Sequence, residues 1–377
     1  MDTGNGFGGG MRGRESVDTT DTGTRTGKDT GTRTGEHTGA RTGTEPTPAG
    51  TAVDAARSLV LTTPALERSG LSISAIRAAV RTGDLVTVHR GRFVRRADWD
   101  AAYPEARHLL RVVAADSRRR TDAVTFSHGS AGVVRGLPLF RYSPGGVHVS
   151  GPRTNGVAWT GNGMRRHELA VPEADRTVIQ GIPCTTLERT VYDVIRTVPP
   201  ETAIAFADAA LRAAAWDATA RVYDLEKAES WRSMLTERIA RNPGARGIRQ
   251  ARWVAAFADG QAQLPGESVS RLYLADLGFA PPRLQVPFRG PRGERFEIDF
   301  GLEDVPAWGE FDGVGKYFDP AMLGTRTTRE AFVREKERED WIRGRSKRPF
   351  ARWGMPHIDT ALTLGRRLAA FGVVPPR

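Results

Sequence analysis

Apolar and polar positions change rhythm abruptly near residue 53. Before that point, residues 21–44 repeat an octapeptide as DTGTRTGK, DTGTRTGE and HTGARTGT, with almost no apolar side chains. Such a segment cannot offset an ordering entropy of about 1–2 kcal/mol per residue, so a disordered tail is expected over residues 1–52. Met11 offers a second initiator within that tail.

From Asp54 the pattern predicts short amphipathic helices with tight connections. Thr62-Thr63-Pro64 opens one with a capping threonine and a first-turn proline, and Gly70 closes it. Ser72 begins a second, SISAIRAAVRTG, in which Ile73, Ile76 and Val80 recur at helical spacing and form the expected core face. Its opposite face carries Ser74, Arg77 and Arg81. A strand LVTV, a basic turn His89-Arg90-Gly91-Arg92 and a returning strand RFVR follow. Helix, turn, helix and a two-stranded ribbon with a basic tip is the order of a winged helix-turn-helix, expected over residues 53–100. Helices of about 10–12 Å diameter fit the DNA major groove, which makes Arg77 and Arg81 candidates for base or phosphate contact. His89, Arg90 and Arg92 at the tip suit phosphate or minor-groove contact.

Residues 101–240 read as a mixed α/β domain with a helical linker. A helix is expected near 105–120, strands near 123–127 and 146–150, and Ala-rich helices at 187–198 and 201–214. His128 has no carboxylate or second histidine at ligand spacing, so it reads as structural. Cys184, the single cysteine, excludes an intramolecular disulfide and a cysteine-based zinc site, and after Pro183 it reads as buried and inert.

Residues 241–377 follow a break at Asn242-Pro243-Gly244. A helix over 266–276 precedes three short strands, LQVPFR, RFEIDFG and AWGEFD; a charged helix over 328–344, a strand over 349–353 and a last helix over 359–371 follow. This order is that of a restriction-endonuclease-like fold. The whole chain is therefore expected to be an α+β multidomain protein.

Strand alternation puts Glu297 and Asp299 on one face of their strand, and Glu310 with Asp312 on one face of the next. Glu267, reaching in from the first helix, completes a candidate metal site with Asp299 and Glu310. Packed carboxylates repel unless a cation lies among them, and Mg²⁺ or Mn²⁺, which take oxygen ligands, would polarise a phosphoryl group. Asp312 is expected to assist. A lysine near the attacked phosphate is expected from Lys336 or Lys316, with Lys336 favoured because a helix holds a side chain more firmly than a Gly-rich loop.

Charge sharpens this picture. The chain has 377 residues, with 55 Lys+Arg against 44 Asp+Glu and a formal charge of +11. The tail holds nearly balanced charge, so the excess sits on the folded part, where it favours polyanions. No stretch approaches the roughly 18 apolar residues of a membrane helix, and no secretory signal is visible. A cytoplasmic protein is expected.

Two resemblances extend these readings. The Ser127-His128 segment, the Val147-His148-Val149 strand and a Gly181-Ile182-Pro183 turn leading to Glu188-Arg189-Thr190-Val191-Tyr192-Asp193 make residues 52–220 similar to the AbiEi-type antitoxin family of bacterial abortive-infection systems. That resemblance implies a transcriptional regulator that binds its own promoter, with a toxin–antitoxin operon partner. Residues 264–360 resemble the PD-(D/E)XK superfamily and its very-short-patch-repair-like endonuclease branch. The anchors are Glu267, Ile298-Asp299-Phe300, Gly309-Glu310-Phe311-Asp312-Gly313, Lys316-Tyr317, the run Glu335 to Asp340 and Arg352-Trp353. The (D/E)xK pattern would place a lysine where this chain has Asp312. Two functions stay open: a metal-dependent DNA endonuclease targeted by its own winged helix, and an AbiEi-like regulator whose nuclease-fold domain is non-catalytic. The same carboxylate chemistry would also serve on RNA.

Overall fold

Local signals set the first elements. The computed structural model describes residues 49–119, 124–152, 163–167, 170–313 and 328–376, all within one compact unit, Gly39–Arg377. The expected tail lies outside the described residues as far as 48, and helix α1, Ala49–Leu59, already runs through residues 49–52. Strand β1, Leu61–Thr62, leads into α2, Thr63–Arg68, whose N-cap Thr62 accepts from the Ala65 amide. Helix α3, Ile73–Thr82, starts at Ser72, which accepts from Ala75 N, and ends at Gly83 in the left-handed region, where a residue lacking Cβ is least strained.

Strands β2, Leu85–His89, and β3, Arg92–Arg95, form a hairpin, and β1 adds to its other edge in the order β1-β3-β2. Leu66, Ile76, Leu85 and Phe93 make a small core, with Ala79 and Val80 against it. Ile73 was expected on this face but is 42% exposed. The helix meets its sheet with its second and third turns, which carry Ile76, Ala79 and Val80, and its first turn overhangs.

After α4, Arg96–Ala101, the middle region begins with α5, Pro104–Asp116. Its five-stranded sheet has the order β6-β5-β4-β8-β7. These are β4, Thr125–Phe126; β5, Val147–Ser150; β6, Met164–His167; β7, Arg176–Ile179; and β8, Ile182–Thr185. Helix α6, His128–Val134, follows β4, and α7, Leu187–Ile195, and α8, Pro200–Ala215, follow β8. Strands β9, Trp216–Asp217, and β10, Val222–Tyr223, form a minimal ribbon before α9, Leu225–Ala240. Helix α10, Ile248–Phe257, was not expected from the sequence; its Ile248, Ala251, Val254 and Ala255 join the middle core with Val53 and Ala56 of α1. Cys184 is fully buried in that core, and burial pushes its thiol up to about 12, which keeps it protonated and inert.

The last unit runs α11, Pro265–Asp276; β11, Arg283–Arg289; β12, Arg295–Leu302; β13, Ala307–Asp312; α12, Thr328–Ser346; β14, Phe350–Gly354; and α13, Ala361–Ala369. Its sheet has the order β11-β12-β13-β14; the first two pairings are antiparallel and β13 pairs β14 in parallel. Helix α11 docks on α8, where buried Arg271 donates to buried Asp208 at 2.6 Å, and Phe140 and Ala205 of the middle region enter the C-terminal core. Mixed α/β layers with several sheets therefore describe the chain. Among the described residues, no helix is long and apolar enough to cross a membrane.

Candidate functional site

Strand pairing gathers the acidic residues of the C-terminal unit. The pairs Leu284–Phe300 and Val286–Ile298 bracket Gln285 and Asp299, so these two lie opposite each other across β11 and β12. Gln285 adopts a positive φ of 48° and donates from Nε2 to Glu267 Oε2 at 3.2 Å, while the Gln263 amide reaches the same oxygen at 2.8 Å. Asp299 accepts the Phe311 amide on Oδ2 at 2.9 Å, a side chain taking a backbone donor of the neighbouring strand. Glu310 lies directly across from Arg352 in the β13–β14 register. Glu267, Asp299 and Glu310 are all buried.

Arginines, which the sequence reading did not assign, dominate the next layer. Arg338 of α12 donates from Nη2 to Glu310 Oε1 at 2.5 Å, and Arg352 of β14 donates to Glu310 Oε2 at 3.1 Å. Both also reach Glu335 Oε1, Arg338 at 3.0 Å and Arg352 at 2.5 Å, and Arg352 pairs with Glu339 at 3.4 Å. Burial alone would lower the pKa of Arg338, but Glu310, Glu335 and Asp299 together hold it above its ordinary value. The same balance applies to Arg352, raised by Glu310, Glu335, Glu339 and Asp312. Asp312 is half-buried beside this network.

Lys336 is exposed. Residues 335, 338, 339 and 342 recur at helical spacing on the face of α12 turned to the sheet, and Lys336 falls outside that row. Among the described residues, Arg338 and Arg352 are the cations on Glu310. Lys316 lies outside the described residues.

Mg²⁺ needs near-octahedral oxygen ligands at about 2.0–2.1 Å. Glu310 holds an arginine on each oxygen, so two positive charges stand where the expected ion would share its carboxylate. Among the described residues, one group of three His, Cys, Asp or Glu side chains brings a ligand atom each within 4.8 Å of the others, and it consists of His128, His148 and His167. Glu267, Asp299 and Glu310 do not converge to that distance.

The basic residues of the first unit fall into two groups. Arg77 and Arg81 on α3 and Arg90 at the hairpin tip are exposed, and none of them enters an ion pair among the described residues. Arg92 and His89 are less available. Arg92 donates from Nε to Ser117 Oγ at 2.7 Å and from Nη2 to the Ser117 carbonyl at 3.2 Å, which ties the hairpin to the end of α5. His89 is half-buried; burial lowers its pKa, with Arg118 and Arg92 adding to the shift, so its ring is neutral near pH 7. Arg118, exposed beside the tip, lies in the turn after α5, and only the fold brings it to the hairpin.

No family model matches the chain. Two relatives, both described as uncharacterized proteins and from two strains of Mycobacterium tuberculosis, are 36% identical over 104 residues. The match takes in 28% of this chain and 38% of each relative, so the chain spans well under half the length of the curated relatives that it matches.

Proposed function

We propose that this chain is a DNA-binding protein that docks through residues 61–95 as a winged helix-turn-helix. The observation that carries the reading is the exposure of Arg77, Arg81 and Arg90, without ion pairs among the described residues, on the side of α3 and the hairpin turned away from the Leu66, Ile76, Leu85 and Phe93 core. The order β1-α2-α3-β2-β3 supports it, since it leaves α3 free for the major groove and the hairpin as a wing. Arg118 joins the wing as a phosphate contact. On this reading the middle region is a scaffold like that of AbiEi-type regulators, and the natural target is the promoter of an operon that also encodes a toxin.

The test is fluorescence anisotropy with duplex DNA, comparing the wild type with Arg77→Ala/Arg81→Ala. Loss of at least about tenfold in affinity is expected, as a good bidentate contact to a base edge is worth about 1–3 kcal/mol. Equal affinity in the two proteins would remove α3 from the interface.

A second reading, phosphodiester cleavage by a restriction-endonuclease-like C-terminal unit, is favoured by the burial of Glu267, Asp299 and Glu310 in a helix, meander, helix, strand order. It requires Mg²⁺ or Mn²⁺, and Glu310 would first have to leave its two arginines. Nicking of supercoiled plasmid that depends on either ion and disappears in Asp299→Ala would establish it. An intact plasmid, shifted equally by both proteins, would assign the C-terminal unit to binding alone.

A further inference from the structure

Three histidines distant in sequence meet in the middle region. His128 opens α6, His148 lies on β5 and His167 ends β6. Strands β5 and β6 run parallel, with Ser150 opposite His167, so His148 and His167 sit diagonally on neighbouring strands. The His128 ring stacks on His167 with centroids 3.8 Å apart, and His148 lies 5.4 Å and 5.1 Å from these two rings. Nε2 of His167 and Nδ1 of His148 are 3.1 Å apart. No ligand partner of His128 stands at close spacing along the chain; the partners come from strand pairing instead.

Packing alone accounts poorly for this cluster. His128 and His148 are buried, and among the described residues Nε2 of His148, the ring nitrogen away from the His167 contact, has no hydrogen-bond partner. His128 also holds a φ of 51°, a left-handed conformation that costs a side chain about 1–2 kcal/mol. That strain is held in place by Ser127, whose Oγ lies 3.1 Å from His128 Nδ1 and 2.8 Å from Ser150 Oγ. A hydrogen bond on Nδ1 fixes the ring and leaves Nε2 as its ligating atom, the usual arrangement behind a metal-bound histidine.

We propose that His128, His148 and His167 form a binding site for a first-row divalent transition-metal ion of the Zn²⁺ class. Imidazole nitrogens suit Zn²⁺, Co²⁺ and Ni²⁺ and do not suit Mg²⁺, so this site is chemically separate from the carboxylates of the C-terminal unit. Tetrahedral Zn–N bonds of about 2.0–2.1 Å place ligand nitrogens about 3.3 Å apart, a spacing that the His148–His167 contact already meets. Asp193 stands near His167, but its two carboxylate oxygens are held by Arg189 at 2.9 Å and Arg196 at 3.4 Å, which leaves the fourth position to water. The ion ties edge strand β6 and its neighbour β5 to α6, and it acts independently of the DNA-binding reading.

The test uses untagged full-length protein stripped with a chelator and titrated with Co²⁺, read by visible absorption, with Zn²⁺ content by mass spectrometry. One equivalent with the absorption of four-coordinate Co²⁺ is expected. His167→Gln, at the most exposed of the three, and His128→Asn, which tolerates a positive φ, should each weaken binding by at least about tenfold with an unchanged far-UV circular dichroism spectrum. His357→Gln should bind as the wild type. Absence of Co²⁺ uptake by the folded wild type, or uptake by both cluster variants equal to that of the wild type, would overturn the proposal.

Discussion

Arg352 stands directly across from Glu310 in the parallel pairing of β13 and β14 and donates to its Oε2 at 3.1 Å, while Arg338 takes the other oxygen. Strand register and the docking of α12 together set the character of the acidic site: the carboxylate expected to hold a cation carries two guanidinium groups. Removing one partner leaves a buried charge poorly compensated. Arg338→Ala should cost about 3 kcal/mol in urea unfolding, and Glu310→Leu/Arg338→Met should cost less than the sum of its single changes. Strict additivity would show that the pair is not coupled.

The buried Asp208–Arg271 pair between α8 and α11 allows the same logic at the junction of the middle and C-terminal units. Burial raises the pKa of Asp208 and Arg271 opposes that shift. Arg271→Ala should destabilise by about 3–5 kcal/mol, and Asp208→Leu/Arg271→Met should recover part of it. Thermal unfolding of the three proteins checks this, and a neutral Arg271→Ala would contradict the junction as described.

A Cβ added at Gly266 would overlap the Phe311 ring. Gly266→Ala should therefore cost about 1–3 kcal/mol and displace Phe311, whose amide is held by Asp299. Urea unfolding gives the cost, and an unchanged midpoint would refute the close approach of α11 to β13.

His108 supplies a pH dependence. It is buried with Nε2 2.9 Å from Ser130 Oγ, and burial, aided by the charge of Arg111, lowers its pKa from 6.5 to about 4. Between these values the unfolded chain binds a proton that the folded chain does not, so His108 destabilises the fold progressively as pH falls from 6.5 towards 4. Its share is up to about 3 kcal/mol. His108→Gln should lose stability less steeply over that window, and parallel profiles would show that His108 does not contribute.

For the DNA-binding reading, each phosphate contact contributes about 0.9 to the slope of log affinity against log salt. Arg77→Ala/Arg81→Ala should flatten that slope by up to about 2 if both side chains hold phosphates. An affinity that is already flat with salt in the wild type would contradict contacts from Arg77, Arg81 and Arg90 together.

The sequence by itself determined the elements whose signals are local. Thr62 and Ser72 cap their helices and Gly83 ends the second, because capping needs only atoms within a few residues. The three strands from Arg283 to Asp312 were legible from alternation and turn glycines. Helix α10 was missed because its apolar residues meet a core built from α1, α7, α8 and α9. What only the tertiary structure decided is which side chains meet. The two arginines on Glu310, the link from Gln285 to Glu267 and the cluster of His128, His148 and His167 join residues on separate elements. Distances between such residues depend on strand register and helix docking, and no spacing along the chain encodes them.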